Sequence, residues 1–348
     1  MNPEPTSGPG TRGDDAVRVL FIAGAGRCGS TLVDRLLDQY DGVFAAGEIY
    51  RVFTDSLSPE RRPGSALGGC GCGKPFRECE VWAAIFEEAY GGIDKIPIAR
   101  LADLSGRVRT RYSGPANLSR YPRRLWLKWL EEYPGQLERL FCAIRTVTGC
   151  RVVVDASKDP FYGQVLLSRP ALSVKTLHLV RDSRAHSHAW SAPKTDDRGE
   201  VVMPTHGLLN AAFVWAVFNE FSSRLGRGRP EDYLLMHYER FATDPAPSLA
   251  AIGDLLGEVF DSTPLVDPHT GRLETSHSVY GNSNRFEGGS APIRLDARWI
   301  DEQPRRERPL ITALTAWGLY RYGYPIRRVD GHSLSAGGPL PARLARRR

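Results

Sequence analysis

The 348-residue sequence lacks any run of about 18 uncharged apolar residues, which is close to the shortest stretch that crosses a bilayer as a helix. Its first residues, Met1-Asn2-Pro3-Glu4-Pro5, also lack the basic and apolar segments of a secretory signal. We therefore expect a cytoplasmic protein with no stable membrane insertion.

Lysine is scarce, because only six of the 46 basic residues are lysines. The formal charge is +6, but residues 331–348 contain four arginines and no acid, so residues 1–330 carry only 6 − 4 = +2. A body so close to neutrality lacks the basic face that binding to a phosphate backbone requires. We expect no nucleic-acid partner, and we expect the tail to be disordered.

Six cysteines in a chain of this length do not indicate a disulfide scaffold. Three of them, Cys70, Cys72 and Cys79, fall within ten residues. This spacing suits either zinc with a fourth ligand or a structural thiol loop. Because no histidine lies beside them in the sequence, we assign no metal site.

Short β-branched runs alternate with helical patterns along the chain. The strands are expected at 17–23, 151–155, 174–180 and 233–237, and helices at 81–90, 97–112 and 122–148. Such alternation predicts an α/β protein with a mainly parallel central sheet covered on both faces. We expect a P-loop NTPase-like three-layer fold: a flexible leader at 1–16, one domain at 17–330 with a helical, cysteine-containing insertion at 55–150, and a tail at 331–348.

A glycine-rich loop, Gly24-Ala-Gly-Arg-Cys-Gly-Ser-Thr31, lies between the first predicted strand and a helix. Its Gly-x-x-x-x-Gly frame is that of a P-loop, whose backbone amides bind phosphate at a helix N-terminus. Nucleoside triphosphatases have lysine after the second glycine, whereas this chain has Ser30. Arg27 lies inside the loop instead. The pattern favours a monophosphate or phosphosulfate ligand over a nucleoside triphosphate.

The loop resembles the 5′-phosphosulfate loop of sulfotransferases that use 3′-phosphoadenosine 5′-phosphosulfate (PAPS), in the version of the bacterial and tyrosylprotein branch. The resemblance extends in order from about residue 17 to about residue 324. The further similar segments are 46–48, 157–161, 179–185, 238–257 and 281–299. It implies PAPS as co-substrate and a hydroxyl of a small molecule, carbohydrate or lipid as acceptor.

By this resemblance, the nucleotide is bound by the loop, by the strand end at Arg181 and by a late loop. The implied nucleotide-binding residues are Gly26, Arg27, Cys28, Gly29, Ser30, Thr31, Arg181, Ser187 and Arg285. The family usually has serine eight residues after the arginine, but here that position is Ala189. Ser187 or Ser191 is therefore the candidate replacement for the 3′-phosphate serine.

The catalytic candidates are Glu48, Lys158 and Arg27. Sulfuryl transfer needs cations on the leaving oxygen and a base for the acceptor hydroxyl. Lys158 and Arg27 supply the cations, so we expect no metal requirement. Glu48 is the candidate base, unless it forms a salt bridge with an arginine such as Arg51. The rival bases are His206 and His188, since cytosolic members of the family use histidine.

Two other functions remain open from the sequence. One is a P-loop kinase or other phosphotransferase, which the serine at position 30 disfavours. The other is a non-catalytic nucleotide-binding protein, which the presence of a candidate base and a candidate leaving-group cation disfavours. Residues 55–130 and 192–210 are the candidate acceptor-binding regions, because they are insertions near strand ends.

Overall fold

The computed structural model describes residues 16–57, 69–108, 120–191, 194–195, 201–203 and 205–326. The predicted leader lies outside these residues except for its last position, and the predicted tail lies outside them entirely.

A five-stranded sheet forms the centre of the molecule. Its strands are β1 (Val17–Ala23), β2 (Val43–Ala45), β3 (Val152–Lys158), β4 (Leu172–Val180) and β7 (Tyr233–His237). They lie in the order β2-β3-β1-β4-β7, and every neighbouring pair is parallel. The structure therefore confirms the predicted α/β class with a mainly parallel central sheet.

Successive residues of β1 pack on opposite faces of this sheet, as the two-residue period of a strand requires. Val19 and Phe21 belong to the core on one face, and Leu20 and Ile22 belong to the core on the other. All four side chains are fully buried. Both faces are thus covered, which gives the three layers expected from the sequence.

Helices surround the sheet and also fill the connection between β2 and β3. They are α1 (Ser30–Leu37), α2 (Glu80–Tyr90), α3 (Ile98–Gly106), α4 (Arg120–Trp129), α5 (Tyr133–Thr148), α6 (Pro160–Leu166), α7 (Ser183–Ser191), α8 (Leu208–Leu225), α9 (Tyr238–Thr243), α10 (Pro245–Leu256), α11 (Trp299–Glu302) and α12 (Glu307–Arg321). None of the described helices is both long enough and apolar enough to pass through a bilayer.

The predicted helix at 122–148 is wrong in one respect, because the structure has two helices there. Glu131 adopts a left-handed conformation between them, and Pro134 lies in the first turn of α5. Proline suits a first turn but cannot continue a helix, because its ring clashes with the preceding turn. The helix predicted at 97–112 ends at Gly106, and residues 109–119 lie outside the described part.

Small antiparallel sheets that the sequence did not indicate complete the fold. They are β5 (Lys194–Thr195) with β6 (Val201–Met203), and β8 (Leu265–Asp267) with β9 (Thr270–Leu273) and β10 (Gly289–Pro292). Between β9 and β10, Val279 forms isolated bridges to Gly47 and to Cys70. The late part of the chain thereby contacts the end of β2.

Candidate functional site

The glycine loop, Glu48, Lys158 and Arg181 follow or end four parallel strands, at one edge of the sheet. Ala23, the last residue of β1, is in register with Lys158 of β3 and with His178 of β4. Ligands of open α/β sheets bind at this edge, beyond the carboxyl ends of the strands. We call the group formed by 24–31, Glu48, Lys158 and Arg181 the loop edge.

Glu48 and Lys158 form an ion pair at the loop edge. Lys158 Nζ lies 2.7 Å from Glu48 Oε1 and also donates to the Ala156 carbonyl at 2.7 Å. The two side chains are only 12% and 14% exposed. Arg51, the alternative partner predicted for Glu48, instead forms a salt bridge with Asp55 at 3.1 Å. The candidate base and the candidate leaving-group cation are therefore in direct contact.

The backbone around Glu48 is fixed by the segment that contains Val279. Glu48 N donates to the Val279 carbonyl at 2.8 Å, and Val279 N donates to the Ala46 carbonyl at 2.7 Å. Gly47 between them has φ 75°, and a Cβ there would lie 2.4 Å from the Val279 oxygen. Only glycine permits both the left-handed conformation and this close approach.

Backbone strain is concentrated at the same site. Four non-glycine residues of the described chain have positive φ, and Arg27 (65°) and Lys158 (66°) are two of them. Such conformations cost of order 1–3 kcal/mol each and cluster at functional sites. Both residues are candidate catalytic cations, so the strained backbone positions coincide with residues that the sequence predicts for the site.

Arg27 projects from the loop as an incompletely partnered cation. Its guanidinium lies over the Trp190 ring, 4.9 Å from the ring centroid. Its Nε and Nη2 atoms are buried and donate to no hydrogen-bond acceptor within the described part of the chain. Burial and the nearby charge of Arg181 lower the pKa of Arg27. Two buried guanidinium groups that repel each other form a site for an anion.

The other loop residues form the start of α1. Gly29 is its N-cap in a left-handed conformation, and no side chain of the described residues caps the helix. The first amides of α1 are therefore oriented toward the loop, as an anion site requires. Cys28 and Ser30 are buried, whereas Gly26 and Thr31 are partly exposed. Burial raises the pKa of the Cys28 thiol, consistent with a small packing role for that side chain.

Arg181, at the end of β4, is buried and held from two sides. Its Nη1 donates to the Arg27 carbonyl at 3.1 Å, and its Nη2 lies 3.1 Å from Asp296 Oδ2. Its Nε is buried without a partner in the described residues. Ser187, one of the predicted replacement serines, is 1% exposed, and its Oγ likewise lacks a partner there.

Ser191, the other candidate, is exposed and donates to the His188 carbonyl at 2.8 Å. Burial and an unpartnered hydroxyl therefore favour Ser187 over Ser191 as the candidate replacement serine. The carboxylate of Asp296 adjoins the same cation. Burial opposes its ionisation, but hydrogen bonds from Arg298 and the charge of Arg181 hold the pKa of Asp296 well below its usual range.

Two other arginines have contacts that the sequence did not indicate. Arg285 is 1% exposed and donates to the carbonyls of Ser278 at 2.7 Å and Gly69 at 3.0 Å. Its expected phosphate contact stays a prediction. Arg184 forms a buried ion pair with Asp182 at 2.6 Å.

The rival histidines lie on different sides of α7. His188 Nε2 is 3.1 Å from Glu302 Oε2, beside α11. The His206 ring packs on Trp190 with centroids 4.4 Å apart, and Trp190 in turn contacts Arg27. Of these two histidines, His206 is the one connected to the loop edge, through Trp190.

The structure adds a histidine to the cysteine cluster. His277 lies with Cys70, Cys72 and Cys79, and one ligand atom from each residue falls within 4.8 Å of all the others. No sequence spacing indicated this residue, because 198 positions separate it from Cys79. We assigned no metal site from the sequence because no histidine lies beside the three cysteines. The fold brings His277 to them as a fourth potential ligand.

The chain matches no protein-family model and no curated relative. Three similar solved structures are a sulfotransferase domain of the curacin biosynthetic pathway, one of the Synechococcus PCC 7002 olefin synthase, and sulfotransferase STF9 of Mycobacterium avium. Their sequence identities are 17%, 18% and 12%, and their TM-scores are 0.48, 0.44 and 0.46. The alignments cover 90%, 88% and 90% of this chain and 100%, 96% and 78% of the other chains. Likenesses at this level decide neither the activity nor the substrate.

Proposed function

We propose that the protein transfers the sulfuryl group of PAPS to a hydroxyl of a small-molecule, carbohydrate or lipid acceptor. The observation that carries this proposal is the unsatisfied anion site at the loop edge. Arg27 and Arg181 lie close enough to repel each other, and both keep buried guanidinium nitrogens without partners among the described residues. A ligand with two anionic groups, one for each arginine, would satisfy both guanidinium groups.

The different positions of Arg27 and Arg181 in the fold support PAPS over a nucleoside triphosphate as the ligand. Arg27 belongs to the loop that begins α1, whereas Arg181 directly follows β4 and precedes α7, the helix that contains the buried Ser187. Arg27 is therefore suited to bind the 5′-phosphosulfate, and Arg181 is suited to bind the 3′-phosphate. The loop has Ser30 at the position from which lysine reaches the β- and γ-phosphates in nucleoside triphosphatases.

The contact between Glu48 and Lys158 supports transfer rather than binding alone. In the proposed reaction, the acceptor oxygen forms a bond to sulfur while the bond from sulfur to the phosphate oxygen breaks. Glu48 accepts the proton of the acceptor hydroxyl, and Lys158 and Arg27 neutralise the charge that develops on the leaving phosphate oxygen. The 2.7 Å ion pair keeps the carboxylate and the ammonium at the same reacting centre.

Binding measured by calorimetry distinguishes PAPS from a nucleoside triphosphate as the donor. We expect adenosine 3′,5′-bisphosphate to bind the wild-type protein more tightly than ATP or GTP, because Arg181 and Ser187 contact the additional 3′-phosphate. Tighter binding of ATP, followed by phosphate transfer, would replace the proposal with a phosphotransferase.

Incubation with labelled PAPS and a metabolite extract tests the transfer itself. Mass spectrometry should detect products that have gained SO₃ with the wild-type protein and not with Lys158→Ala. Lys175→Ala is the matched control, since this lysine pairs with Asp232 away from the loop edge. Bisphosphate binding without any sulfated product would leave a nucleotide-binding protein that does not catalyse transfer.

A further inference from the structure

Three thiols and an imidazole converge at the cluster formed by Cys70, Cys72, Cys79 and His277, which we call the Cys₃His cluster. Cys79 Sγ lies 3.4 Å from Cys70 Sγ and 3.3 Å from His277 Nδ1. Cys70 Sγ lies 3.4 Å from His277 Nδ1. Potential ligand atoms from two distant parts of the chain therefore face one point.

These separations fit the coordination sphere of a tetrahedral metal. Zinc binds thiolate at about 2.3 Å and imidazole nitrogen at about 2.0–2.1 Å, which places neighbouring ligand atoms roughly 3.5–3.8 Å apart. The distances between Cys70, Cys79 and His277 are 3.3–3.4 Å, and all four ligand atoms lie within 4.8 Å of one another. Small movements would complete the tetrahedron.

The surroundings of the cluster are those of a closed structural site. Cys70 and Cys79 are 0% and 1% exposed, and the aromatic rings of Phe76 and Trp82 pack beside them in the same core. The Cys72 amide approaches Cys70 Sγ at 3.5 Å, a contact that stabilises a metal-bound thiolate. Four protein ligands leave no open position, which distinguishes a structural zinc site from a catalytic one.

The backbone is shaped to bring the two ligand segments together. Gly71 N donates to the Ser278 carbonyl at 2.9 Å. A Cβ on Gly71 would lie 2.7 Å from Ser276 Oγ and 2.8 Å from the Ser276 carbonyl oxygen, so any larger residue would separate the segments. The indole of Trp82 donates to the His277 carbonyl and fixes the histidine backbone.

We propose that the Cys₃His cluster binds one Zn²⁺ through the three sulfurs and His277 Nδ1. Binding displaces up to three thiol protons to solvent and involves no redox change. The metal joins residues 69–79 to residues 276–279, and Val279 pairs with the backbone on both sides of Gly47. The zinc site therefore supports the segment that positions Glu48, a consequence that rests on the proposed function, whereas the metal site itself does not.

The direct test is the metal content of the full-length protein purified without chelators. We expect about one equivalent of zinc per chain by inductively coupled plasma mass spectrometry. Replacement with Co²⁺ should give the intense visible absorption of a tetrahedral site together with sulfur-to-cobalt charge transfer. Cys72→Ser should lower zinc retention, and Cys142→Ser is the matched control, because Cys142 lies outside the cluster.

A second measurement remains decisive if the cluster variants fail to fold. The wild-type protein is treated with a strong zinc chelator, and its melting temperature and free thiols are measured with and without added Zn²⁺. We expect chelation to lower the melting temperature and expose three additional reactive thiols, and Zn²⁺ to reverse both changes.

Several results would overturn the zinc site. These are a protein without metal that takes up neither Zn²⁺ nor Co²⁺ after reduction, iron in place of zinc, or a cluster disulfide that lowers the mass by two hydrogens under non-oxidising conditions. None of these results depends on sulfuryl transfer, so failure of the metal site and failure of the proposed function are distinguishable.

Discussion

Arg181 and Arg184 lie three residues apart and are both buried, yet their surroundings differ. Arg184 donates through Nε and Nη2 to the two carboxylate oxygens of Asp182, at 2.9 and 2.6 Å. Arg181 makes one contact to a carboxylate, adjoins a second cation and keeps a buried Nε without a partner in the described chain. A completed ion pair stabilises the fold, whereas an incomplete one is suited to bind a ligand.

The same contrast holds for the regions around these arginines. Beside Arg184, Glu239 accepts hydrogen bonds from the Asp182 amide at 3.0 Å and from the Tyr324 hydroxyl at 2.7 Å. At the loop edge, Arg27 keeps two guanidinium nitrogens without described partners and has a strained backbone. Substitutions at the loop edge should therefore affect activity and ligand binding, and those in the Arg184 network should affect stability.

The largest expected effect is that of Glu48→Gln. Loss of a general base lowers turnover by about 10²–10⁴-fold. We expect this loss in kcat, with little change in the affinity for adenosine 3′,5′-bisphosphate measured by calorimetry. Glu138→Gln is the control, since this carboxylate pairs with Arg169.

Full activity in Glu48→Gln would exclude the carboxylate as the base. His206→Ala and His188→Ala then decide between the rival histidines, and the structure favours His206 because its ring packs on Trp190 beside Arg27. Loss of turnover in His188→Ala alone would contradict the assignment of the reacting centre to the loop edge.

Arg184→Ala should produce the largest loss of stability. Removing one partner of a buried ion pair leaves the other charge uncompensated, at a cost of about 3–5 kcal/mol. Chemical denaturation should show this loss. Arg224→Ala removes a partly exposed pair with Glu220 and should cost only about 0–1 kcal/mol. Equal effects of the two substitutions would contradict the distinction between the Arg184 network and ordinary surface pairs.

Arg181→Ala should weaken ligand binding selectively. A hydrogen bond to a charged group contributes about 1.5–3 kcal/mol, which corresponds to a roughly 10- to 100-fold increase in Kd. We expect this increase for adenosine 3′,5′-bisphosphate and little change for adenosine 5′-phosphate, which lacks the 3′-phosphate. Equal weakening of both ligands would place Arg181 at the 5′ end or indicate a general structural effect.

The smallest expected effect concerns pH. Burial, followed by the charge of Arg181, lowers the pKa of His186 to about 3 from 6.5. The unfolded chain therefore binds a proton below about pH 6.5 that the folded chain does not, so stability falls as the pH decreases toward 3, by at most about 1.4 kcal/mol per unit.

His186→Gln should remove the contribution of His186 to the pH dependence of stability. The variant must be compared with the wild type, because other groups change the stability in the opposite direction as the pH decreases. Burial raises the pKa of Asp155 to about 6, which favours the folded state as the pH decreases through that range. Denaturation free energies at pH 5, 6 and 7 should show a smaller loss at low pH in His186→Gln than in the wild type. Parallel pH profiles would contradict a neutral buried His186.

Local sequence patterns predicted the elements that carry the loop edge. The apolar run at 17–23 matches β1, and the glycine loop followed by helical spacing predicted α1. Parallel strands place their carboxyl ends together, so the proximity of the loop, Lys158 and Arg181 followed from the predicted strands and fold class. The ion pair between Glu48 and Lys158 did not, because it depends on how Val279 and Gly47 set the backbone of residue 48.

Contacts between distant segments account for what the sequence did not indicate. His277 lies beside cysteines about 200 positions earlier because contacts such as the Val279 bridges and the Gly71–Ser278 hydrogen bond join the two segments. Likewise, the partner of Arg184, Asp182, lies only two positions away in sequence. The burial of Arg184, however, depends on Trp299 and on the Pro325 carbonyl near the end of the described chain. No local pattern encodes such packing.

The proposed function requires that the loop edge bind a nucleotide through two separate cations. A crystal structure with adenosine 3′,5′-bisphosphate would show this binding. We expect the 5′-phosphate against Arg27 and the amides that begin α1, and the 3′-phosphate against Arg181 and Ser187. A bound bisphosphate whose phosphate oxygens contact neither Arg27 nor Arg181 would contradict it.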